Sequence, residues 1–163
     1  MNLDNYDLED LIKTAYRSEL DSEKTYTKIA DSVENGLLKD KLMFLAEEEK
    51  KHQNFIKKIY NLRFPEKKLT PAEKQVIPFP KIEFTDEDIP LSKILKQAMD
   101  AENFAQSFYQ KLSKRFDDND IKNMLQYFAD MEKGHFKILE NEKESMEKFE
   151  QADVYWHMVH AGP

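Results

Sequence analysis

One set of four residues occurs twice in this chain with a constant displacement, and that repeat limits the available folds more than any other feature. Glu19, Tyr26, Glu49 and His52 recur as Glu102, Tyr109, Glu132 and His135, each 83 positions after its counterpart. Burying a hydrophobic core does not require a Glu, a Tyr and a Glu-x-x-His to repeat in register. Holding two metal ions between two equivalent halves does. The offset also links apolar positions: Leu8 with Leu91, Leu11 with Ile94, Ile12 with Leu95, Ala15 with Ala98, Ile29 with Leu112 and Ala46 with Ala129. The halves read as duplicated helical hairpins.

Apolar residues recur at three- and four-residue spacing through most of the chain, which predicts helices. A first helix carries Leu8, Leu11, Ile12, Ala15, Ile29 and Ala30 on one stripe, and Asn35-Gly36 is expected to end it, the glycine as a left-handed C-cap. A second helix begins at once with Leu38, Leu42, Leu45, Ile56 and Ile59 inward, and so short a turn makes the pair antiparallel over residues 5–62. Residues 63–90 hold Pro65, Pro71, Pro78, Pro80 and Pro90, each lacking an amide donor and breaking helix. This crossover is long enough to run the length of a bundle, and the second half is expected to start parallel to the first. The second hairpin spans 91–150, with its turn at Asp117-Asp118-Asn119-Asp120 and Asp120 as the expected N-cap. The tail, 151–163, is aromatic and nearly uncharged, and is expected to pack on the bundle or on a second subunit. The expectation is one all-α domain over 1–163, two antiparallel helix pairs joined by a long crossover.

Composition narrows the function classes. Hydrophobic residues make up 40% and charged residues 35%, with only 3 Gly, which suits a helical globular domain. Absence of cysteine excludes disulfides, zinc ribbons, iron–sulfur clusters and thiol catalysis within this sequence. The acidic N-terminal segment lacks the basic and apolar regions of a signal peptide, and no apolar run has membrane-spanning length, so a cytoplasmic protein is expected. A net charge of −7 with interspersed Lys and Glu argues against nucleic acid as a partner.

The spacing explains the chemistry. Residues three apart on a helix differ by about 60° around the axis, so Glu49 and His52 project as neighbours, as do Glu132 and His135. With Glu19 and Glu102 at mid-length of the other two helices, the inward set offers four carboxylates and two imidazoles. That donor set suits first-row divalent metals. Four buried carboxylates without compensation would each cost several kcal/mol, on the order expected for buried ions, or be driven to protonate; two divalent cations remove the problem. Tyr26 and Tyr109, seven residues after the single glutamates, lie on the same stripes, where a hydroxyl can hydrogen-bond and orient a ligating carboxylate from a facing helix. Ser18, Ser22, Ala101 and Ala105 leave room beside those glutamates for ions and a small oxidant. Glu23 is set aside because its counterpart is Gln106, Glu47 and Glu48 are expected in solvent, and His157 and His160 are read as structural. Met43, Phe44, Met124 and Phe128 are read as core.

A single Glu followed by Tyr, then Glu-x-x-His about thirty residues later, all repeated, resembles the ferritin-like superfamily. Within it the chain is most similar to the di-iron domain of rubrerythrins. The resemblance spans residues 5–150 and implies a ferritin-like four-helix bundle with two iron ions, Mn or Zn being substitutes. It implies Glu19, Glu49 and His52 as ligands in the first half and Glu102, Glu132 and His135 in the second, with Glu49 and Glu132 bridging. It also implies reduction of peroxide or dioxygen, or oxidation of iron for storage. The chain departs from rubrerythrins in having no cysteine-ligated rubredoxin module, and in having Ala105 where they carry an extra Glu. The leading expectation is therefore an oxidoreductase served by a separate, rubredoxin-type electron donor, in a homodimer. An iron-handling ferroxidase or storage protein, and a non-enzymatic metal-stabilised interaction module, are the alternatives.

Overall fold

The computed structural model describes residues 1–83 and 89–160, with side chains through Phe149. Four helices make up the fold: α1 (Leu8–Ser32), α2 (Gly36–Arg63), α3 (Leu91–Leu112) and α4 (Asn119–His160), with a short 3-10 turn, Ser113–Arg115, before α4. The principal packing pairs are α1 with α2 and α3 with α4. No helix among the described residues is long and apolar enough to cross a membrane.

The turns differ in detail from expectation. Gly36 does not close α1 in a left-handed conformation; no described glycine has positive φ. Instead α1 ends at an extended Val33, and Asn35 N-caps α2, its side chain accepting from the Leu38 amide at 3.1 Å. An Asn in that place serves the next helix because it satisfies an amide that no carbonyl reaches. Likewise the N-cap of α4 is Asp118, not Asp120: its Oδ1 accepts from the amides of Asp120 and Ile121 at 2.8 and 3.0 Å. Helix α4 also continues through 151–160, where a separate tail is expected from composition. Between His135 and Ala161 there is no Gly or Pro to stop it, and Lys137–Glu140 and Lys143–Glu147 pairs support the helix surface. Packing of the 151–163 side chains lies outside the described residues.

Helix direction is read from the core. One cluster joins Leu11, Ile12 and Ala15 of α1 to Ile56 and Tyr60 of α2, Phe108 and Leu112 of α3, and Leu125 of α4. The other joins Ile29 and Ala30 to Leu42 and Leu45, Ile94 and Leu95, and Leu139. The start of α1 therefore shares one end of the bundle with the end of α3, so α3 runs antiparallel to α1. The expected parallel start of the second half is corrected here, and the crossover is the cause. It does run the bundle's length, delivering the chain to the end opposite the start of α1. Its early part is tied to α1, with the Ala72 amide donating to the Lys13 carbonyl at 3.3 Å and the Val76 amide to Thr14 Oγ1 at 3.2 Å. Its later part is tied to α3, where Phe79 meets Phe104 and Phe108 edge-on and the Glu83 amide donates to Gln97 Oε1 at 2.6 Å.

Met43, Phe44 and Met124 are not core, and 50% of the Phe44 surface is exposed. Phe44 lies five positions before Glu49, about 140° around the axis, so the face that buries the glutamate turns the phenyl ring outward. Phe128 is buried as expected. Fully buried Leu95 and Leu125 sit in the two separate end clusters. Leu95→Ala and Leu125→Ala are each expected to lower unfolding free energy by roughly 2–5 kcal/mol in urea titrations. Met43→Ala is expected to stay within about 0.5 kcal/mol of wild type; an equal loss from all three would contradict this packing.

Candidate metal centre

Between the two apolar end clusters lies a polar layer built from all four helices. Glu19 comes from α1, Glu49 and His52 from α2, Glu102 from α3, and Glu132 and His135 from α4; all six are buried. They form two groups, each with donor atoms within 4.8 Å of one another: Glu19, Glu49, His52 and Glu132, and Glu49, Glu102, Glu132 and His135. Glu49 and Glu132 belong to both, the position that ligands shared between two ions must occupy. His52 Nδ1 lies 3.2 Å from Glu19, 3.3 Å from Glu49 and 3.1 Å from Glu132. His135 Nδ1 lies 3.2 Å from Glu132, 3.4 Å from Glu49 and 3.6 Å from Glu102. The two rings stack at 5.7 Å.

The duplication is visible in the hydrogen bonds. Tyr26 Oη of α1 donates to Glu102 of α3, and Tyr109 Oη of α3 donates to Glu19 of α1. The 83-residue offset converts either pair into the other, so the halves are related by a pseudo-two-fold axis through the layer. Burial, then the charges of nearby glutamates, pushes both phenols well above the usual tyrosine range and keeps them protonated as donors. Each tyrosine thereby fixes the carboxylate that only one metal group uses.

Electrostatics gives the layer two neutral states. Burial, and then the neighbouring carboxylates, pushes Glu19 and Glu102 well above the ordinary carboxyl range. Burial works the same way on Glu49, but hydrogen bonds from the Glu19 carboxyl and both imidazoles outweigh it and hold Glu49 well below that range. Glu132 is opposed by burial and by Glu49, yet is lowered by the His52 charge and by the hydrogen bond from His135. Burial also opposes the imidazolium forms, but the facing carboxylates prevail: His52 is raised well above its usual value and His135 to about 12. In direction these shifts favour protons on Glu19, Glu102, His52 and His135 and ionised Glu49 and Glu132, an arrangement that carries no net charge. With two divalent ions, four carboxylates and neutral imidazoles are again balanced.

The residues fit such ions. Glu132 Oε1 is buried and 3.1 Å from His52 Nδ1, yet has no hydrogen bond of acceptable direction. Close approach without alignment is the arrangement of donor atoms aimed at a common cation. Four oxygen ligands and two nitrogens suit first-row divalent metals. On the side away from the imidazoles, a cavity of about 300 Å³ reaches Glu19, Glu49, Glu102 and Glu132. Ser18, Ser22, Ala101 and Ala105 all line it, and the crossover residues Phe79, Pro80 and Ile82 complete its wall. The crossover wall is absent from the expectations above. Its signal was the alternation of buried Ile77 and Phe79 with exposed Pro78 and Pro80 along the segment.

Other acidic residues fall beside the layer. Glu23 is outside both groups; its carboxylate accepts from Gln53 Nε2 at 2.6 Å, and the same amide donates to the Glu19 carbonyl at 3.2 Å. Glu47 is exposed, but Glu48, expected in solvent, is buried and paired with Lys51. The Lys51 stem and ammonium cover a carboxylate that helical phase alone sends outward. The side chains of His157 and His160 lie outside the described residues.

Comparisons with known proteins agree with this geometry. The family model for rubrerythrin matches residues 10–143. A hypothetical protein from Pyrococcus furiosus is similar in structure with a TM-score of 0.81 and 30% identity, over 89% of this chain and 93% of that one. A Thermotoga maritima protein, put forward as a ferritin-like diiron-carboxylate protein, shares the fold with a TM-score of 0.68 and 22% identity, over 85% of this chain and 95% of that one. No curated protein matches. The chain belongs to the rubrerythrin family, with the ferritin-like four-helix bundle.

The charge balance has a measurable consequence. Loading two divalent ions must displace protons from Glu19, Glu102, His52 and His135, so apparent affinity rises with pH through the neutral range. Calorimetric titration of the metal-free protein with Zn(II) near pH 7, in buffers of different ionisation enthalpy, is expected to show net proton release on binding. Glu49→Ala and Glu132→Ala are expected to lose both stoichiometric binding and proton release while keeping the helical circular dichroism. Binding that is independent of pH, or unchanged in both variants, would contradict this assignment.

Proposed function

We propose that this chain is a non-haem di-iron oxidoreductase, reducing peroxide or dioxygen with electrons from a separate donor. The observation that carries the reading is a buried layer of six ligating groups that opens on one side into a cavity. A purely structural metal site is closed by its ligands, whereas a reactive one keeps a position for a molecule from outside. Membership of the rubrerythrin family, and the resemblance to a protein put forward as a diiron-carboxylate protein, support iron as the metal.

In this reading Glu19 and His52 would hold one ion, Glu102 and His135 the other, and Glu49 and Glu132, common to both groups, would serve both. Two ferrous ions supply two electrons together, as reductive cleavage of an O–O bond requires. The surrounding residues do the rest. Tyr26 and Tyr109 orient the two outer carboxylates. Phe128, 4.4 Å from the His52 ring, and Tyr109, edge-on to it, pack beside the imidazole. The four carboxylates at the cavity floor mark where an oxidant meets the ions. In this reading electrons come from a donor outside these residues, of the rubredoxin type, since none of them is a cysteine that could hold an iron–sulfur relay.

Anaerobic loading with Fe(II), followed by stopped-flow mixing with hydrogen peroxide and separately with O2, tests this directly. The expected result is two irons per chain, rapid growth of ferric absorbance with both oxidants, and the faster reaction with peroxide. Iron that binds but stays ferrous with both oxidants would overturn the redox reading.

A further inference from the structure

The cavity beside the carboxylates is larger than the smallest oxidants need and is built unevenly. At about 300 Å³ it has the space of roughly ten water molecules, at ~30 Å³ each. Its walls break the pseudo-symmetry that governs the rest of the centre. The 83-residue offset pairs Ser18 with Ala101 and Ser22 with Ala105, so α1 presents hydroxyls where α3 presents methyls. Asp21, Lys24 and Thr25 extend the polar wall along α1. Phe79, Pro80 and Ile82 of the crossover extend the apolar one, with the polar Gln75 and Lys81 of the same segment beside them, and Phe79 is fixed by its edge-on contacts with Phe104 and Phe108. A cavity meant only for hydrogen peroxide has no use for an apolar wall of this extent.

We propose that the cavity takes an organic hydroperoxide bearing a short alkyl or aryl group, and that this is a substrate of the centre. The proposal rests on the redox reading above. The hydroperoxide end lies at the carboxylate floor beside the Ser18 and Ser22 wall. The organic group lies against Ala101, Ala105, Phe79 and Ile82. Ala105 matters most, because a larger or charged side chain there would stand in the space the organic group takes. The reaction is a two-electron reduction: the O–O bond breaks, and ROOH with two electrons and two protons becomes ROH and water. The reduced di-iron centre supplies the electrons, its outside donor restores them, and the protons come from solvent.

Two measurements on the full chain test the proposal. First, the Zn(II)-loaded protein, which cannot turn over, is titrated with 2-phenyl-2-propanol, the product alcohol of cumene hydroperoxide, and followed by methyl NMR. Saturable shifts confined to Ala101, Ala105 and Ile82 are expected, and are lost in Ala105→Leu. Second, the Fe(II)-loaded protein is mixed with cumene hydroperoxide and with hydrogen peroxide in single turnover. The two rates are expected to agree within about tenfold, and Ala105→Leu is expected to lower the organic rate at least ten times more than the hydrogen peroxide rate, a difference of about 1.4 kcal/mol in barrier. If Ala105→Leu does not fold, Ile82→Trp narrows the same cavity from the crossover and serves as the second variant. Reaction with hydrogen peroxide alone overturns this inference and leaves the redox reading standing. Failure with both peroxides removes the redox reading and this inference together.

Discussion

A buried layer containing four carboxyl groups and two imidazoles has to be electrically neutral, and the rest of this structure is organised around that demand. Each uncompensated ion there would cost several kcal/mol, on the order established for buried charges. The layer meets the demand in two ways with the same side chains. Protons on Glu19 and Glu102, with both histidines charged, balance Glu49 and Glu132 when no metal is bound. Two divalent ions balance all four carboxylates when those protons leave. Protons and two divalent ions are thus alternative ways of neutralising one set of side chains.

Geometry follows from that competition. Two ions need two equivalent ligand groups that share a pair of carboxylates, and the duplicated hairpins supply them. The antiparallel relation of α1 and α3 lets each tyrosine reach the glutamate of the other half. Apolar clusters at both ends of the bundle seal the layer from water along the helix axes. The crossover closes most of the remaining side, tied to α1 through Lys13 and Thr14 and to α3 through Phe79 and Gln97. What it leaves is a single-sided cavity against the carboxylates, with one polar and one apolar wall.

The six residues that cluster in the layer were legible in the sequence because they repeat at a constant offset, which no packing demand requires. Helix existence was legible from apolar spacing and from the prolines of the crossover. Direction was misread: after an antiparallel hairpin, a crossover that runs the bundle's length starts α3 at the end opposite the start of α1, so the two helices oppose each other. Caps at Asn35 and Asp118 were misplaced because turn residues adjacent to two helices can serve either, and only the amides left unpaired decide between them. Met43 and Phe44 were misplaced because they are apolar, although the phase set by Glu49 and His52 turns them outward. Glu48 was misplaced in the opposite sense, since its burial depends on cover from Lys51.

The central claim is that six side chains hold two ions between two equivalent halves. The most direct test is a crystal structure of the Fe(II)-loaded chain, with data collected on both sides of the iron absorption edge. The account predicts two anomalous peaks in the central layer, one beside Glu19 and His52 and one beside Glu102 and His135, with Glu49 and Glu132 contacting both. A single peak, or iron bound away from these six residues, would contradict it.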